Sequence, residues 1–309
     1  MLTRLKSVAE SGFPLWQSVA KSGRQYPYAK HIARLAVRSL YAELVLYPKP
    51  GLVSLRDNGS HHDMDASCFM RSLFSLRHYF RAIAIAGAQG AEFHELKALG
   101  IVAEQRMLQA TRGINTHRGA IFALGMLSAA AGYCLARDQT VTAAALRQTI
   151  VTQWGKALRM HSLPPVSETH SHGQQAAKQY AASGAREEAA LGFPSIFELA
   201  LPRLQQSLDE GRSLYLAQVD SFFSLMARIS DTNLYHRGGT EGIAYARHAA
   251  QQFLDQGGTA HPQWLHIAEC CHKQFIARRL SPGGAADMLA ATCFVHHCAE
   301  IFSLSTGHE

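Results

Sequence analysis

Between Ala66 and Ala86 the apolar residues Phe69, Leu73, Leu76, Phe80 and Ile83 step by four and three, the spacing of one face of an α-helix. Asp65, immediately ahead of them, predicts an N-cap. Ser213–Ile229 and Tyr245–Leu254 show the same period, and Gly257-Gly258 reads as the stop after the latter. Ser281–Ile301 opens on Ser-Pro-Gly-Gly and then turns helical. Alternation of the strand type never lasts beyond a few residues, and no hairpin turn joins two apolar runs. The pattern predicts an all-α protein: a variable N-terminal segment, residues 1–30, followed by a single compact multi-helix domain over residues 31–309. His161–Gln175, "HSLPPVSETHSHGQQ", is broken by Pro164-Pro165 and is expected to be a loop, as lid or connector. No repeat of fixed period suggests a solenoid.

One run tests that picture. Gly119–Ala136 carries no charge over 18 residues, long enough to raise the question of a membrane span. Its alanines, glycines and Ser128, without aromatic anchors at the ends, fit instead a small-residue core helix on which neighbours pack closely.

Composition narrows the class. The chain has 309 residues, 47% hydrophobic and 17% charged, as a folded soluble protein has. Its net charge of +7 suits an anionic partner. The Lys and Arg residues are scattered, without runs or interleaved aromatics, so a small highly charged ligand is expected rather than nucleic acid. The six cysteines lack a disulfide-framework spacing, and "MLTRLKSVAESGF" at the start has no continuous apolar core of a secretory signal. Reduced thiols and a cytoplasmic location are the expectation.

The chemistry-bearing residues gather where helices begin. "PKPGLVSLRDNGSHHDMD" (Pro48–Asp65) precedes the Phe69 helix, "TRGINTHRG" (Thr111–Gly119) the alanine-rich one and "DTNLYHRGGT" (Asp231–Thr240) the Tyr245 helix; "SPGGAAD" (Ser281–Asp287) starts the last. Helix N-termini present unpaired N–H groups and a positive dipole end, so several converging would bind an anion, especially where Gly283, Gly284 and similar glycines allow close approach. Any single stretch is explained by capping alone; their repetition is not. Lys49, Arg56, Arg118, Arg186 and Arg237 accompany Asp63, Asp231, Glu188 and Asp287. Arginine forks match phosphate, and carboxylates in a phosphate site hold Mg²⁺, so the set suggests a metal–polyphosphate site. Two other metal sets are open. His31 with His61-His62-Asp63 resembles a phosphohydrolase pattern, and Cys270, Cys271, His272, Cys293, His296, His297 and Cys298 are zinc-type residues without a paired C-x-x-C element.

The same stretches carry a resemblance. "PKPGLVSLRDNGSHHDMD", "ATRGINTHRGAIFALG", "GAREEAALGFPSI", "DTNLYHRGG" and "LSPGGAADMLA" resemble, in this order, the motifs of the triphosphoribosyl-dephospho-CoA synthase family, over roughly Tyr41–Ala291. The resemblance implies an all-α enzyme with ATP and 3′-dephospho-CoA as substrates; Mg²⁺ is the cofactor expected from the carboxylates beside the phosphate-binding cations. The 2′-hydroxyl of 3′-dephospho-CoA would join C1 of the ATP ribose as adenine leaves. The product would supply the prosthetic group of an acyl-carrier subunit, reached indirectly through a transferase. The motifs look more like the malonate decarboxylase branch than the citrate lyase branch, where Asp tends to stand at Ser54. Arg112 and Arg118 depart from the family pattern by keeping or adding positive charge, and Glu187 fills a position often Gly.

Such a reaction builds oxocarbenium-like charge at C1 and needs a proton acceptor for the hydroxyl. Asp63, Asp231 and His117 are the catalytic candidates, and Asp63, Asp231 and Asp287 the metal candidates. His117 would donate to phosphate or protonate adenine. Lys49, Arg118, Arg186 and Arg237 would hold the phosphates, and Asn58, Asn115 and Asn233 the ribose hydroxyls. Arg56, His61, Thr116, Glu188, Ser281, Gly283 and Gly284 complete the expected nucleotide-binding set. No nucleic acid or membrane partner is expected, and a homo-oligomer is compatible with the pattern. A metal phosphohydrolase, a nucleic-acid binder and a non-catalytic decarboxylase subunit remain as rival readings.

Overall fold

The computed structural model describes residues 25–162 and 187–303. The Pro164-Pro165 stretch and Arg186 lie outside them. The described residues contain helices and connections but no strand.

Among the described residues eleven α-helices follow one another: α1 (Tyr28–Val45), α2 (Ala66–Ala88), α3 (Phe93–Ala110), α4 (Arg118–Leu135), α5 (Ala143–Thr149), α6 (Gly155–Ser162), α7 (Leu201–Asp209), α8 (Leu214–Arg228), α9 (Thr232–Asp255), α10 (Trp264–Ala277) and α11 (Gly283–Ser303). Wider π-type turns at Ile150–Trp154 and Ser195–Ala200 lead into α6 and α7. The caps follow the sequence. Asp65 accepts from Cys68 N–H (2.7 Å) to start α2, Ser213 caps α8, and Gly257 at φ 104° follows the end of α9. One boundary differs from expectation. "DTNLYHRGGT" is not a loop ahead of a helix: Asp231 caps it and Thr232 already begins α9, with the irregularity confined to Gly239 at φ 60°, ψ −155°.

The uncharged run is a core helix. Its 18-residue span, Arg118–Leu135, is apolar enough to cross a membrane by composition, yet 72% of it is buried against other helices. The reason is backbone proximity. A Cβ on Gly87 of α2 would stand 2.0 Å from Ala129 O of α4, and one on Gly132 of α4 would stand 2.0 Å from Ala84 O of α2. The two helices therefore cross with nothing between their backbones, which only small residues permit. Nearby, Tyr79 lies over Gly125 and donates to Ile121 O (3.0 Å).

Two apolar cores result. α1–α6 build the first around Leu40, Leu76, Phe80, Leu124 and Trp154; α8–α11 build the second around Phe222, Phe223, Phe253 and Phe275. α11 belongs to both. Ala290, Phe294 and Val295 enter the first core, and Ala285, Leu289 and Cys293 enter the second. All six cysteines are free thiols, five of them buried.

Candidate functional site

The start of α11 is where several of the predicted residues meet, and the Pro48–Asp65 segment is fastened to it. Ser60 Oγ donates to Leu280 O (2.7 Å), and a Cβ on Gly51, at φ 69°, would stand 2.1 Å from the same oxygen. His272 Nδ1 lies 3.2 Å from Gly51 N and 3.0 Å from Lys49 O, and its Nε2 lies 3.1 Å from Asp57 Oδ1. This clasp sets Lys49 inside the protein. Lys49 is 1% exposed and forms an ion pair with Glu43 of α1, itself buried.

Asp231 and Asp287 occupy helix starts. Asp231 Oδ1 accepts from Asn233 N–H (2.9 Å) and Leu234 N–H (3.3 Å) at the start of α9, while Oδ2 accepts from Ala285 N–H (3.0 Å) in the first turn of α11. A Cβ on Gly284 would lie 3.0 Å from Asp231 Oδ2, and one on Gly283 2.7 Å from Asn233 Nδ2, so these glycines give the Asp231–Asn233 segment its room. Asp287 reaches the start of α4: it accepts from the backbone N–H of Ala120, and its Oδ2 lies 2.1 Å from where a Cβ on Gly119 would be. Three helix N-termini thus converge as expected, but the protein's own carboxylates already engage them.

Charge is unbalanced there. Burial raises the Asp231 pKa against the opposing pull of its backbone donors. Asp287 is raised well above the usual carboxylate range, first by burial, then by Glu43 and Asp231. Glu43 thus pairs with the buried cation Lys49 on one side and, with Asp231, acts on Asp287 on the other. Glu43 is the residue that sequence reasoning missed. Its signal was available: in α1 the buried face runs through Ile32, Ala36, Leu40 and Leu44, and Glu43 interrupts that apolar stripe beside Ser39.

His117 stands at the head of α4, 2% exposed, its ring edge-on to Phe69 with centroids 5.0 Å apart. Its Nδ1 is 2.6 Å from Ser72 Oγ, which also receives the Thr116 hydroxyl (2.7 Å). Its Nε2 is buried with no partner. Burial, with Lys49 adding to it, lowers the His117 pKa to about 3. The imidazole is neutral at physiological pH and is set up to donate a hydrogen bond rather than to carry a proton.

His61, Ser281 and Arg237 form a rim with Asp63 beside it, and the remaining predicted residues lie outside it. His61 Nε2 is 2.8 Å from Ser281 Oγ, and Arg237 donates to His61 Nδ1 (3.1 Å), Ser60 O (3.1 Å) and Arg279 O (3.2 Å). Arg237 is thus engaged in holding the rim together. Asp63 is 64% exposed, 3.8 Å from His61 Nδ1. Asn58 and Asn233 are exposed, and exposed Arg56 lies over the Tyr47 ring at 4.4 Å. Asn115 Oδ1 accepts from Arg118 N–H (3.2 Å), and the Arg118 guanidinium pairs with Glu104. Glu188 sits elsewhere, accepting from Ser195 N–H (2.7 Å) at a π-type turn.

The alternative metal sets are not assembled. Among the described residues no three His, Cys, Asp or Glu side chains gather as a ligand group. His31 is exposed on α1; in the cysteine-histidine set, His272 is used by Asp57 and Cys293 accepts from Gln218 Nε2 (3.4 Å).

Comparison with known proteins agrees with the motif order. Residues 29–306 match the family model for CitG, ATP:dephospho-CoA triphosphoribosyl transferase. A probable 2-(5''-triphosphoribosyl)-3'-dephosphocoenzyme-A synthase of Acinetobacter calcoaceticus is 38% identical over 87% of this chain and 91% of its own. A relative named 2-(5''-triphosphoribosyl)-3'-dephosphocoenzyme-A synthase from Pectobacterium atrosepticum is 37% identical over 91% of this chain and 93% of its own. No solved structure matches the chain. With a family model spanning nearly all of the described helices and relatives matching along almost their whole length, the chain belongs to the CitG family of triphosphoribosyl transferases.

Proposed function

We propose that the protein transfers the 5-triphosphoribosyl group of ATP to the 2′-hydroxyl of 3′-dephospho-CoA and releases adenine. The observation that carries the reading is the end-to-end match to relatives bearing that synthase name, with every motif converging on the start of α11 except "GAREEAALGFPSI", part of which lies outside the described residues.

The chemistry supports it. A sugar losing adenine develops positive charge at C1, which a surplus of carboxylates stabilises. Asp231, held by backbone amides of two helices, is oriented to supply fixed negative charge. Asp63, at the exposed rim, is free to take the proton of the incoming hydroxyl. Neutral His117 offers Nε2–H to an acceptor on ATP. The donor set also fits Mg²⁺. Asp231 and Asp287 lie close enough to act on one another, and Mg²⁺ needs only one or two protein carboxylates when phosphates and waters fill its shell. Asp287 would hold it, with Asp231 beside it. When bound, the ion supplies charge neutralisation for the triphosphate.

Incubated with ATP, Mg²⁺ and 3′-dephospho-CoA, the purified protein should release free adenine and form a heavier CoA derivative, read by chromatography and mass spectrometry. ADP or phosphate as the product would overturn the reading in favour of a phosphohydrolase. Within the family we assign the chain to the malonate decarboxylase branch, on "DTNLYHRGG", "SPGGAAD" and Ser54. Ser54 is buried and its Oγ accepts from Arg56 N–H (3.1 Å), so this position serves the turn. Deleting the gene should abolish malonate-dependent growth and leave citrate use intact; the reverse phenotype would move the assignment to citrate lyase.

A further inference from the structure

A short polar chain in the site ends on an atom with nothing to bond. The Thr116 hydroxyl donates to Ser72 Oγ (2.7 Å), Ser72 Oγ lies 2.6 Å from His117 Nδ1, and His117 Nε2 is buried and unpartnered. Ser72, wholly buried on α2, belongs to none of the motifs that carry the family resemblance. Counting protons fixes the direction of the chain. Ser72 Oγ already accepts the Thr116 proton, and the acceptor facing its own proton is His117 Nδ1. Nδ1 must then be unprotonated, which places the single ring hydrogen of the neutral imidazole on Nε2.

That hydrogen faces no acceptor. Leaving a buried donor unpaired costs about 1–3 kcal/mol, and folds keep such a group where something else completes it. The ring is held on two sides, edge-on against Phe69 and through Nδ1 by Ser72 Oγ. Lys49 is close enough to His117 to act on it electrostatically but can only donate, so it cannot satisfy Nε2–H. An acceptor has to come from outside the protein.

We infer that Ser72 and Thr116 are positioning residues that lock His117 as the Nε2–H tautomer, and that this N–H is completed by a hydrogen-bond acceptor of bound ATP. The second half rests on the proposed reaction; the tautomer does not. The acceptor is a phosphate oxygen or an adenine ring nitrogen, chemically equivalent to the donor.

The test is ¹⁵N NMR of the full-length protein with labelled histidine, His117 being assigned by its loss in His117→Gln. The expected spectrum shows His117 neutral and protonated on Nε2. In Ser72→Ala the population moves toward Nδ1–H; Thr116→Val moves it partly and Thr116→Ser restores it. Protonation on Nδ1 in the unmodified protein, or an unchanged tautomer in both Ser72→Ala and Thr116→Val, overturns the relay. Thr116, only partly buried, keeps the test intact if Ser72→Ala fails to fold. ATP should shift the Nε2 resonance, and tripolyphosphate or adenosine alone tells which end of the nucleotide is responsible; no shift with ATP overturns the assignment of the acceptor. In the adenine assay Thr116→Val should lower kcat roughly tenfold, the scale of one weakened hydrogen bond, with Thr116→Ser restoring it. Absence of adenine release from the unmodified protein would sink the reaction while leaving the tautomer result to stand or fall by itself.

Discussion

At the scale of single residues, the site is a problem of buried charge. Removing one partner of the Glu43–Lys49 pair strands the other in the interior, which costs about 3–5 kcal/mol. Glu43→Gln should therefore lower the urea midpoint strongly, whereas Glu43→Leu combined with Lys49→Met should recover much of the loss while remaining inactive. Histidines set a second, pH-linked effect. Burial, then Arg38 and His296, lower the His297 pKa to about 4, with Nδ1 3.4 Å from Ser39 Oγ. A histidine depressed in the folded state binds its proton more readily when unfolded. Its contribution is therefore fully present above the ordinary histidine value and is lost as pH falls toward 4. At pH 5 the loss attributable to His297 is about 2 kcal/mol. The difference in unfolding free energy between pH 7 and pH 5 should shrink by that amount in His297→Gln. Asp231 and Asp287, with raised values, act in the opposite sense and are common to both proteins.

At the scale of elements, helix starts organise the site and helix crossings hold it. Gly119→Ala would drive its Cβ against Asp287, so it should cost the adenine-release activity far more than stability, as circular dichroism and the assay compared would show. Gly87→Ala or Gly132→Ala meets backbone instead, and should lower stability by about 1–3 kcal/mol through the α2–α4 crossing. Much of this was legible. Helical period, caps and the small-residue composition of Gly119–Ala136 gave α2, α4, α8 and α11 with their approximate ends, because these are local properties of the chain. The start of α9 was not, since "DTNLYHRGGT" has the composition of a turn. It becomes helical through the bonds of Asp231 to Asn233, Leu234 and Ala285, the last a partner 54 positions away. The same distinction runs through the site. Sequence pattern identified Lys49 and Arg237 as cations beside glycines, but only the fold separates a lysine paired inside the protein from an arginine spent on carbonyl oxygens.

At the scale of the whole molecule, the site lies where two cores share one helix, and its parts come from α1, α2, α4, α9 and α11. Asp231 connects α9 to α11 and Asp287 connects α11 to α4, so the polar cluster also ties the two halves together. Asp231→Ala frees amides at two helix starts at once, and should cost about 1–3 kcal/mol of stability in addition to activity. Activity should therefore be compared at a temperature where a thermal melt shows that variant fully folded.

The shared helix also has a bearing on how the protein comes to exist. During synthesis, everything up to Arg279 emerges without the segment that fills both cores. Neither core is complete until α11 arrives, and Asp287 arrives with it. The nascent chain therefore carries unfinished surfaces for most of its synthesis, and the polar cluster is completed late, in the same step that completes both cores.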